Sequence, residues 1–64
     1  MENSKSYPTT KEVTLIADIL KLEELLYKKA ILYSKITMNE KLKNHLKALA
    51  ENHRQRFLEL YSLL

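Results

Sequence analysis

The chain has 64 residues and a formal charge of +3, with 45% hydrophobic and 30% charged residues and neither cysteine nor glycine. That length holds one small domain, and a domain of this size removes only roughly 60% of its unfolded surface from water. The missing cysteines exclude a disulfide framework, a thiolate metal site and a cysteine nucleophile, and the missing glycines exclude a phosphate-cradling glycine loop.

Residues 1–8, which end at the only proline, Pro8, read as a flexible leader. The stretch Met1–Thr10 is polar and lacks the apolar run of a signal peptide. No apolar run approaches the roughly 20 residues needed to cross a bilayer. The expectation is a cytoplasmic chain made without export and without a membrane partner.

Thr9 and Glu12 have capping-box spacing, so a first helix should begin near residue 10 and run to about 36. Its main apolar line is Leu15, Ile19, Leu22, Leu26, Tyr33 and Ile36, with Lys29 filling the gap. Ile16, Leu25, Ala30 and Leu32 widen that line, while Lys21, Glu24, Lys28 and Lys35 take the other face. A stripe this broad suits a helix with two neighbours.

Thr37-Met38-Asn39-Glu40 is the one interruption, and either Thr37 or Asn39 could cap the next helix. That second helix is expected over about 40–63, with the line Leu42, Leu46, Leu49, His53, Phe57, Leu60 and Leu64. The fold class is therefore all-α: 9–64 form an antiparallel two-helix hairpin. Each helix keeps an uncovered side, so the hairpin is expected to dimerise into a four-helix bundle, two-fold dimers being the commonest closed assembly.

A turn near residues 37–39 sets Glu23 opposite His53, Leu26 near Ala50 and Ile19 near Phe57. A carboxylate facing an imidazole in mid-bundle is either a satisfied buried pair or half of a metal site. Glu23 and His53 are the metal-ligand candidates; His45 lies off the stripe, on the solvent side. No set of side chains fits nucleophilic catalysis, so no catalytic residue and no cofactor are expected. Tyr27, Tyr33 and Tyr61 read as packing. Lys41, Lys43, Lys47, Arg54 and Arg56 form a basic edge on the second helix that reads as a solvated face.

Lys21 to Tyr33, with Leu42-Lys43 and the run Leu49 to Phe57, resembles the spore coat protein F family of the ferritin-like group. The resemblance spans about residues 12–63. It implies a ferritin-like bundle in which Glu23 matches the first-helix carboxylate and His53 the histidine of a Glu-x-x-His. The carboxylate of that motif would fall at residue 50, which is Ala50, and Glu51 is rotated about 100° away. The implied role is a non-enzymatic coat component acting by protein–protein association, made in the cytoplasm, deposited in the spore coat, and partnered by itself and by other coat or structural proteins.

Two other functions compete with this one. One is a Rop-like RNA-binding dimer, which shares the architecture; Glu40, Glu51 and Glu59 interrupt the basic edge, and a +3 chain neutralises few phosphates, so nucleic acid is an unlikely partner. The other is a carboxylate–histidine metal-binding bundle at Glu23 and His53.

Overall fold

The computed structural model describes residues 7–64, so the leader expected over 1–8 lies outside the described residues except for Tyr7 and Pro8. Two helices, α1 (Thr10–Ile36) and α2 (Glu40–Tyr61), pack side by side as a hairpin, and the described residues contain no strand.

Both helix starts are built by side chains. Thr9 accepts the Glu12 N–H at 3.1 Å, and the Glu12 carboxylate accepts the Thr9 N–H at 2.9 Å, completing the capping box. Asn39 caps α2 by accepting the Leu42 N–H at 2.8 Å. Thr37 is left free to take the Asn39 N–H on its hydroxyl, at 3.1 Å. With Thr37 and Asn39 both extended at negative φ, this connection needs no residue in the left-handed region, which is how a chain without glycine turns here. α2 ends at Tyr61, and residues 62–64 tighten into i→i+3 bonds, Leu63 N–H to Leu60 and Leu64 N–H to Tyr61.

On α1 the seam runs one residue later than the apolar line read from the sequence; on α2 it keeps Leu46, His53, Phe57 and Leu60 of that line and takes Lys43 and Ala50 in place of Leu42 and Leu49. Burial on α1 follows Ile16, Leu20, Glu23, Tyr27, Ala30 and Ser34; on α2 it follows Lys43, Leu46, Ala50, His53, Phe57 and Leu60. Both lines alternate steps of three and four, as two helices in lengthwise contact require. The expected α1 line stays largely in water, with Leu15, Ile19, Leu22, Tyr33 and Ile36 at 44–65% exposed and Leu26 half-buried. Of the line expected for the second helix, only Leu42, Leu49 and Leu64 are exposed, at 41–56%. Ala30, Ser34 and Ala50 are small enough to let the backbones close together, and a line of Leu and Ile would hold them apart. The Ser34 hydroxyl is satisfied within its own helix, donating to Ile31 O at 2.7 Å.

The resulting core is thin. Among the described residues the buried apolar side chains are Leu20, Ala30 and Ala50, and no large side chain is sealed completely.

Candidate functional site

Midway along the seam, α1 presents a carboxylate and α2 an imidazole. His53 Nδ1–H donates to Glu23 Oε1 at 2.6 Å, and both side chains are nearly buried, 10% and 13% exposed. Arg56, one turn beyond His53, donates from Nε to the other oxygen, Oε2, at 3.0 Å. Its Nη2 also lies 3.0 Å from His53 Nδ1. One ring nitrogen cannot both donate and accept, and the shorter, charge-assisted contact to the carboxylate decides the case. Nδ1 therefore carries the proton, and the Arg56 hydrogens serve Glu23.

The electrostatics follow from this geometry. The hydrogen bond from His53 holds the Glu23 carboxyl below its ordinary value of 4.5; burial opposes that shift, and Arg56 adds to it through a hydrogen bond and its charge. The cluster thus joins one anion, one cation and one imidazole, and no buried side-chain nitrogen or oxygen among the described residues lacks a partner.

The structure brings Glu23 and His53 together as the register argument expects, and it adds Arg56, which residue spacing alone left on the solvated basic edge. The signal was there: Arg56 follows His53 by three residues, so it shares a helix face with it. The position a second carboxylate would need is taken by Ala50, 1% exposed. Glu51 turns away and is bound by Arg54 and Gln55, each at 3.1 Å. His45 is exposed. Among the described residues, no group of three or more His, Cys, Asp or Glu side chains could hold a metal ion. A cation approaching Glu23 would meet both carboxylate oxygens occupied and a guanidinium beside them.

What this arrangement does is fix the hairpin. The pair locks α1 and α2 in one register, because sliding either helix by a turn would strand a buried carboxylate and a buried imidazole. Comparison with known protein families, curated proteins and solved structures finds no match to this chain.

Proposed function

We propose that this protein is a non-enzymatic helical component that works by protein–protein association. Its first partner is a second copy, with which it forms a four-helix bundle. The observation that carries this reading is the apolar side left in water. In two antiparallel helices, the residue before each seam position turns toward the same broad side. On α1 those residues are Leu15, Ile19, Leu22, Leu26 and Tyr33 with Lys29 among them, and on α2 Leu42 and Leu49 among His45, Asn52, Arg56 and Glu59. Leu15, Ile19, Leu22, Tyr33, Leu42 and Leu49 are each 41–54% exposed. The residues just after the seam positions turn to the other broad side and include Lys21, Glu24, Lys28, Lys35, Lys47, Glu51 and Arg54. A thin core beside an uncovered apolar face of α1 is half of a larger core.

The resemblance to the spore coat protein F family supports a structural place in a spore, with other coat or structural proteins as further partners. No helix among the described residues is long and apolar enough to cross a membrane. Light scattering across a dilution series tests the association: the expected mass is twice the 7.6 kDa of one chain. A mass of one chain at every concentration, with cooperative unfolding, would overturn the reading. The spore role is tested by extracting coats from spores of the source organism, where the protein should be found; its confinement to the mother-cell cytosol would remove that role.

A further inference from the structure

Resting on that dimer reading, we infer how the two copies meet: α1 lies antiparallel against α1 of the second copy, and two Asp18–Lys29 ion pairs between the copies fix the register. The outer face of α1, away from α2, carries Leu15, Asp18, Leu22, Leu25, Lys29 and Leu32 at alternating steps of three and four. All six are exposed, the four leucines at 49–54%. This row is its own complement when reversed. A two-fold axis between Glu23 and Glu24 sets Leu15 beside the second copy's Leu32, Leu22 beside its Leu25, and Asp18 beside its Lys29. That axis passes within one residue of the middle of α1 (Thr10–Ile36), so the two helices overlap along their whole length.

Charge selects the direction. A parallel pairing would set Asp18 against Asp18 and Lys29 against Lys29; reversal turns both repulsions into attractions. Neither residue forms an ion pair within its own chain among the described residues, although Lys28 beside Lys29 does so with Glu24.

Two measurements test this. Sedimentation equilibrium should show Asp18→Lys and Lys29→Asp each weakening the dimer about tenfold or more, and the double variant D18K/K29D restoring it to within about threefold, because the swapped charges again meet. Met38, in the turn and 98% exposed, can be replaced by a spin-labelled cysteine, Met38→Cys. Antiparallel pairing places the two labels about 45 Å apart or farther, from the rise of the intervening helix. A dimer with labels closer than about 25 Å, or one whose affinity the single charge changes leave untouched, would overturn this arrangement while leaving the association standing. A wild-type chain that stays monomeric would overturn both.

Discussion

α1, with 27 residues, and α2, with 22, share one seam, yet they meet water differently. Away from the seam, α1 leaves Leu15, Ile19, Leu22, Leu25, Leu32, Tyr33 and Ile36 exposed by 44% or more, whereas α2 leaves Leu42, Leu49, Leu58 and Tyr61 exposed amid charged and amide side chains. α2 has one main apolar stripe, mostly laid along the seam, with scattered apolar residues outside it. α1 has apolar surface around most of its circumference, broken by the line Lys21, Glu24, Lys28 and Lys35. A helix of that kind belongs at the middle of an assembly. Its length and capping explain why it forms, and its outer face is the surface that the proposed association covers.

The contrast can be broken from the α2 side of the seam first. Ala50 is the closest-packed residue, and Ala50→Leu should cost up to about 3 kcal/mol through overpacking, read as a fall in thermal midpoint. If the variant is as stable as the wild type, the seam through Ala50 is not the one that holds the helices together.

The central pair comes next. Glu23→Ala leaves His53 buried without an acceptor and should destabilise by about 1–3 kcal/mol in chemical denaturation. Glu23→Gln keeps an oxygen that accepts from His53 and should cost less. The Arg56 contact adds little to either figure, since that side chain is 49% exposed and its charge is screened by solvent.

Acid should act through the same carboxylate. Because the folded-state value of Glu23 is depressed, its stabilisation is complete above about the ordinary value of 4.5 and is lost as pH falls through the lowered value. A stability-against-pH curve should therefore decline on the acid side, and Glu23→Gln should flatten that decline. An unchanged acid limb in the variant would assign the loss to other carboxylates.

The smallest effect belongs to the charged side. Glu24 and Lys28 pair at 3.3 Å with both side chains more than half exposed. Glu24→Gln should shift stability by no more than about 0.5 kcal/mol. A larger loss would mean that this side, too, is covered.

Much of the hairpin could be read from residue spacing. Thr9 with Glu12 and Asn39 with Leu42 mark the helix starts by local chemistry that needs no tertiary information, and the turn position then brings Glu23 level with His53. The α2 seam was mostly legible, through Leu46, His53, Phe57 and Leu60, but the α1 seam was not. Hydrophobicity ranks the line through Leu15, Ile19 and Leu22 above one containing Glu23, Ala30 and Ser34. It measures the cost of exposure, though, and does not say which neighbour covers which line. Close approach chose the smaller residues for α2 and left the larger ones outside. Arg56 was hidden for a related reason: among several cations along α2, only a contact across the seam distinguishes the one that closes on a carboxylate.

The central claim is that the exposed apolar face of α1 is an association surface and the charged side of α2 is not. Two variants compared by sedimentation equilibrium test it directly: Leu22→Lys on α1 and Leu58→Lys on α2, replacing side chains that are 49% and 45% exposed. A cation forced into an apolar contact must be desolvated, so Leu22→Lys should weaken the dimer about a hundredfold or more. Leu58→Lys should leave the dimer's affinity as it is. Equal effects from the two variants, or dissociation caused by Leu58→Lys alone, would contradict the account.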